Sequence, residues 1–241
     1  MKIIEKINKK ARDIFNEKQP VIAFTGDSVT QGCFEIYVKE KGIIETVFDS
    51  KESYTNKVKS ILSILYPSSN VTIINAGLSG NKADVGYARL KEDVIDYNPD
   101  LTVVCYGLND AFKRDTGIEC YRESLRNIFR DLKAAGSEVI FMTPNMCTDR
   151  VDYSFKEPEE KDIAQSVVDM VTLGWLDRYI DTAKQVCIEE NIPVCDCYEI
   201  WKKMKNGGVD ITSVLSNKIN HPIKELHWIF AYELVKMMFK S

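Results

Sequence analysis

The sequence predicts an α/β protein: one doubly wound domain whose five-stranded parallel sheet, in the flavodoxin-like order 2-1-3-4-5, is covered by helices on both faces. Three observations predict it. Short apolar runs of strand length alternate with amphipathic helical stretches along the whole chain. Three of those runs stop at polar, glycine-bearing endings: Gly26-Asp27-Ser28, Asn75-Ala76-Gly77 and Gly107-Leu108-Asn109-Asp110. No break in composition, internal repeat or low-complexity tract divides the chain, so residues 1–241 read as a single domain. Within it, residues 1–19 supply an N-terminal amphipathic helix packed on the rest.

Taken in order, Ile3, Ile4, Ile7, Ala11, Ile14 and Phe15 recur at helical spacing over residues 3–17, with Pro20 as the stop. Strand one is 21–26. Residues 34–52 read either as short strand pieces around Ile43-Ile44 and Val47-Phe48 or as a loop covering the site. Residues 53–65 form a helix with Val58, Ile61, Leu62 and Leu65 on one face, stopped by Pro67. Strand two is 71–74, followed by a helix over 82–97. Strand three is 101–106, followed by a helix over 119–135 that Gly136 terminates. Strand four is 139–142, a polar loop spans 146–161, and 162–190 carries a long helical pattern with a candidate break at Gly174. Strand five is 192–196, where Pro193 indicates an edge. A short helix over 197–205, a loop at 216–222 and a terminal amphipathic helix over 224–239 complete the chain.

Composition narrows the function classes. A net charge of −4 without a basic stripe argues against a nucleic-acid partner. No apolar run approaches the ~20 residues of a membrane span. The N-terminus lacks the apolar stretch of a signal peptide. The seven cysteines are odd in number and several sit inside apolar runs, so they read as reduced, packed side chains. Cys195-Asp196-Cys197 has neither redox nor zinc spacing. A reducing cytoplasm is the expected setting, and no metal or cofactor is expected.

The chemistry centres on Val21–Ser28, a buried strand that delivers a serine hydroxyl to its carboxyl end, where open parallel sheets bind ligands. Serine there is a nucleophile if a base lies within reach. The other two polar strand endings project from the same edge. Asn220-His221-Pro222 precedes the last helix, and the chain's other histidine is His227.

With these residues the chain resembles the SGNH/GDSL hydrolase superfamily: Ser28, Gly77, Asn109 and His221 match its four name-giving residues in order, over residue 20 to the C-terminus. The resemblance implies acyl transfer. Ser28 would attack an ester carbonyl and His221 would carry the proton. The N–H groups of Ser28 and Gly77 and the Asn109 amide would hold the oxyanion. Asp27 and Asn81 are the further candidates for substrate contact. One residue departs from the pattern: the aspartate usual three residues before the histidine is here Lys218. Asp210, Asn217 or a backbone carbonyl are the candidate replacements, and a Ser–His dyad is the working arrangement.

Blander readings stand beside these. Asn109-Asp110 also suits a cap on the following helix. Asn75 suits a turn. His227, Trp228, Phe230 and Phe239 suit packing. The expected function is hydrolysis of small acyl esters, O-acetyl and carbohydrate-linked first. A lysophospholipase or thioesterase for longer chains, and a non-catalytic ligand-binding member of the fold, are the alternatives. The expected partner is a small-molecule ester.

Overall fold

A computed structural model describes residues 1–40 and 43–240. The chain opens with α1 (Lys2–Arg12), β1 (Val21–Gly26) and the short α2 (Ser28–Gln31). Strands β2 (Cys33–Glu40) and β3 (Ile43–Phe48) lead to α3 (Tyr54–Leu65), β4 (Thr72–Gly77), α4 (Ala83–Ala88) and α5 (Leu90–Asp93). Then come β5 (Leu101–Cys105), α6 (Ile118–Ala134), β6 (Glu138–Met142), α7 (Pro158–Thr172) and α8 (Trp175–Glu190). The chain ends with β7 (Val194–Cys195), α9 (Cys197–Asn206) and α10 (His227–Met238).

The main sheet is five-stranded and all parallel, in the order β4-β1-β5-β6-β7. Counting only these strands along the chain gives 2-1-3-4-5, as the sequence predicts. Every residue of β5 is buried, which is why Leu101–Cys105 reads as an apolar run interrupted only by Thr102, whose hydroxyl is hydrogen-bonded to that of Ser137. At one edge, β7 pairs only with β6, and Pro193 contributes its carbonyl to Phe141 N–H (3.0 Å) without needing to donate. One continuous apolar core runs from Ile3 and Ile7 through the sheet to Leu234 and Met238.

The register positions the site. Gly26 of β1 lies level with Gly77 of β4 and with Cys105 of β5. The three polar endings therefore leave the sheet side by side. β1, flanked by both neighbours, is the point where the strand order reverses, the crevice position of doubly wound sheets.

Several elements differ from the sequence reading. The first helix stops at Arg12, not near Pro20. Asp13 ends it, its carboxylate accepting N–H bonds from Phe15 (3.3 Å) and Asn16 (3.0 Å) in competition with the helix ladder. Ile14 and Phe15 are consequently exposed, not packed. At its other end, Glu138 of β6 accepts the free N–H groups of Lys2 and Ile3. The stretch 82–97 is not one helix: it breaks at Arg89 and again at Val94, ending in a 3-10 turn at Ile95–Tyr97. The long pattern over 162–190 divides at Gly174, whose φ of +75° suits glycine. Its first half begins earlier than expected, because Pro158 occupies the first helical turn and Glu157 and Glu160 form a capping box. β2 and β3 pair with each other antiparallel outside the main sheet, the strand pieces rather than the covering loop.

Candidate active site

Ser28 is the first residue of α2 because Asp27 caps that helix, its Oδ1 accepting Val29 N–H at 3.0 Å. A first helical position has no intrahelical acceptor for its N–H. The serine is thus presented with a free main-chain donor beside its own hydroxyl. Burial pushes the Asp27 carboxyl up to about 6, and its Oδ2 has no hydrogen-bond partner among the described residues. Asp27 is 1% exposed, and its Oδ1 is spent on building the nucleophile turn.

The hydroxyl of Ser28 lies 2.8 Å from His221 Nε2. The His221 loop is built by local hydrogen bonds. Asn217 Oδ1 accepts from Ile219, Asn220 and His221 N–H at 3.1, 2.9 and 3.0 Å, and Lys218 takes a left-handed φ of +58° within that turn. The loop is tied to the segment after β6 by Asn145 Nδ2 donating to Asn220 O and Thr148 N–H donating to Ile219 O, both at 2.8 Å. Asn217 is the residue the sequence reading undervalued. Its signal was an asparagine opening a short turn before the histidine.

Among the described residues no carboxylate orients the imidazole. His221 Nδ1 is buried without a hydrogen-bond partner among the described residues. Burial pulls the ring down to about 4. The Phe34 main chain works in the opposite direction without reaching hydrogen-bond geometry. Asp210 does not fill the gap: its carboxylate is half exposed and pairs with Arg150 at 2.7 Å. Asn217 is committed to the loop's main chain, and Lys218 Nζ donates to Ser213 O at 2.9 Å.

Gly77 abuts α2. A Cβ there would lie 2.4 Å from Gln31 N and 2.8 Å from the Thr30 carbonyl carbon. The glycine is required by close approach of backbone to backbone. Its N–H donates to Asn75 Oδ1 at 3.0 Å, while Asn75 Nδ2 holds Thr30 O at 2.9 Å. Asn75 shapes the loop, as a turn former should. Asn109 Nδ2 donates one hydrogen to Asn81 O at 3.0 Å, which leaves its second for a ligand. Asn81 holds Asn109 through its main chain; its own side-chain O and N are buried and have no hydrogen-bond partner among the described residues. Asp110 does not cap the helix that follows it; it accepts from Ala83 N–H at 2.9 Å and Gly107 N–H at 3.0 Å.

His227 is fully buried, accepts Tyr54 N–H on Nδ1 at 3.1 Å, and packs on Phe34 and Phe230. Trp228 and Phe239 are 47% exposed, so of the aromatic residues on the last helix it is Phe230 that fills the core. Among the described residues no cluster of His, Cys, Asp or Glu could hold a metal ion.

A family model for GDSL-like lipases and acylhydrolases matches residues 24–229, from inside β1 to the start of α10. The chain belongs to the GDSL-like lipase/acylhydrolase family. Among GDSL relatives, an acetylxylan esterase from Geobacillus stearothermophilus is 27% identical over 132 residues. That match spans 51% of this chain and only 58% of the relative's length. A solved catalytic mutant of an acetylxylan esterase from the same organism superposes with a TM-score of 0.67 at 20% identity, covering 92% of this chain and 95% of that one. A second acetyl xylan esterase, AlAXEase, superposes at 0.66 with 18% identity over 91% and 100%. These likenesses establish the GDSL fold. The Geobacillus esterase has been solved as catalytic mutants of a serine, a histidine and an aspartate.

Proposed function

We propose that this GDSL-family chain hydrolyses small acyl esters, O-acetyl groups on saccharides foremost, through an acyl-Ser28 intermediate. One observation carries the reading: the 2.8 Å contact between Ser28 Oγ and His221 Nε2 beside unspent N–H donors. As Ser28 Oγ bonds to the ester carbonyl carbon, its proton passes to Nε2 and the carbonyl oxygen becomes an oxyanion. Ser28 N–H, the second Asn109 hydrogen and Gly77 N–H receive that charge, the last by turning from or sharing with Asn75. Collapse expels the alcohol, which takes the proton from His221. Water then repeats the cycle, releasing the acid and restoring Ser28. No step needs a metal or cofactor.

The acetylated-saccharide substrate rests on the acetylxylan esterases among its relatives. One domain and a reducing, cytoplasmic setting are part of the same reading. They are supported by the continuous core and by seven cysteines that are all free. No helix among the described residues is long and apolar enough to cross a membrane.

A second reading, a ligand-binding member without turnover, is favoured by the unpartnered His221 Nδ1. Labelling with a fluorophosphonate decides between them. Stoichiometric modification of Ser28, lost in Ser28→Ala and His221→Ala, is the expected result. An unlabelled wild type overturns the hydrolase. Rates over p-nitrophenyl esters of rising acyl length then test the substrate: a maximum at acetate is expected, and a maximum at long chains overturns the acetyl reading.

A further inference from the structure

We propose that Asp110 is a positioning residue that fixes Asn109 as an oxyanion donor by clamping the loop after β5 to the start of α4. The inference rests on the hydrolase reading above and concerns how its oxyanion site is held.

The geometry is a cross-brace between two loops. Asp110 Oδ2 accepts Gly107 N–H at 3.0 Å, within its own loop, and Oδ1 accepts Ala83 N–H at 2.9 Å, on the neighbouring one. Between these two bonds, Asn109 Nδ2 reaches across to Asn81 O at 3.0 Å. Two hydrogen bonds therefore link residues 107–110 with residues 81–83, and a third closes the 107–110 loop on itself around Asn109. Asp110 is 5% exposed, and among the described residues no cation pairs with it. Its two main-chain donors are the groups that hold its carboxyl against a desolvation that pushes it up to about 7.

The residue type follows from this geometry. Each carboxylate oxygen faces one N–H, so the ionised side chain satisfies both donors at once. Asparagine offers one acceptor oxygen and would set its NH₂ against a main-chain N–H. A helix cap on the following segment would accept from residues 112 or 113, whereas Asp110 accepts from residues 107 and 83. The side chain is spent on holding two loops at one separation. Without that brace, the Asn109 amide drifts from the position the oxyanion will occupy, and a misplacement of about 1 Å costs on the order of 10²-fold in rate.

The donor side supplies a second, independent way to cut the brace. Ala83 is the first residue of α4, and Lys82 before it is extended (φ −119°, ψ 167°). Proline is tolerated at a first helical position, and an extended residue before it satisfies proline's steric demand. Ala83→Pro thus deletes the N–H bonded to Oδ1 and sets a ring carbon in that 2.9 Å gap, displacing the carboxylate without changing any acidic residue.

The test measures kcat and KM for acetyl ester hydrolysis in wild type, Asp110→Asn, Ala83→Pro and Asn109→Ala, and in each of the first two variants combined with Asn109→Ala. Fluorophosphonate labelling of Ser28 runs in parallel. The expected result is a fall in kcat of about 10- to 100-fold in Asp110→Asn and in Ala83→Pro, with KM within about twofold. Neither substitution should lower kcat further once Asn109 is alanine, because both act through that amide. A general structural role gives losses that multiply with Asn109→Ala, and that outcome overturns the proposal. So does an unchanged kcat in the single variants. If Asp110→Asn does not fold, Ala83→Pro alone decides by the same two criteria. A wild type that neither labels nor turns over overturns the hydrolase reading instead, so the two failures are distinguishable.

Discussion

Among the described residues no acid stands behind His221, which has a measurable consequence for the pH dependence of turnover. A base must be neutral to accept the Ser28 proton. Burial, with no carboxylate to stabilise the imidazolium, holds the ring down to about 4, against an ordinary value near 6.5. At pH 5.5 a group with a pKa of about 4 is about 97% neutral, and one of about 6.5 only about 9%. The structure therefore calls for roughly tenfold more activity at pH 5.5 than a histidine of ordinary pKa allows. The assay is kcat/KM for an acetyl ester from pH 4 to pH 8, followed by acetate release, since this ratio reports the free enzyme's groups. Asp27 and Asp110, raised by burial to about 6 and about 7, titrate in the same window. Repeating the profile in Asp27→Asn and Asp110→Asn assigns any limb that vanishes to the substituted carboxyl. A limb between pH 6 and 7 that survives in both variants would refute the reasoning, for it would mean that the imidazolium has a stabilising partner. The expected surviving limb lies near pH 4.

Four further outcomes are expected. Asn109→Ala should lower kcat by about 10²–10³ with little change in KM, because its contact strengthens as the oxyanion forms; steady-state kinetics check it. Asn217→Ala removes the acceptor of three N–H bonds and should cost on the order of 1–3 kcal/mol in denaturant unfolding together with most activity, whereas Asn217→Asp keeps that acceptor, gives up only the Nδ2 donation to Asn220 Oδ1, and should lose less of both. Asp210→Ala should leave kcat within about twofold, since it breaks only the exposed pair with Arg150. The last concerns stability: the folded-state pKa of Asp110 is raised, so the native state binds the extra proton and wild type gains as pH falls. Between pH 7 and pH 5 it should gain about 2 kcal/mol over Asp110→Asn, read from paired unfolding curves.

What the sequence made legible was whatever depends on local pattern and order. Alternating apolar runs gave the sheet and its order, and Pro193 marked an edge strand, since both reflect burial and backbone donors along a few residues. Polar endings marked Ser28, Gly77 and Asn109, and the parallel register then set their strands level. Two kinds of information escaped. One is competition within a turn: Ile14 and Phe15 continue the helical period, yet Asp13 offers the backbone another partner and the helix ends before them. The other is what a buried polar side chain bonds to across the fold. Asp110 was indistinguishable from a helix cap because Ala83, its distant donor, lies 27 residues away. Lys218 announced that the acid was missing, but nothing local could reveal that Asn217 would arrange the loop while leaving Nδ1 unpaired. An enzyme built this way orients its base by the shape of the loop and the tightness of its packing instead of by a counter-charge. It follows that the residues holding that loop, Asn217 and Asn145, should matter more to turnover here than any exposed carboxylate in its vicinity.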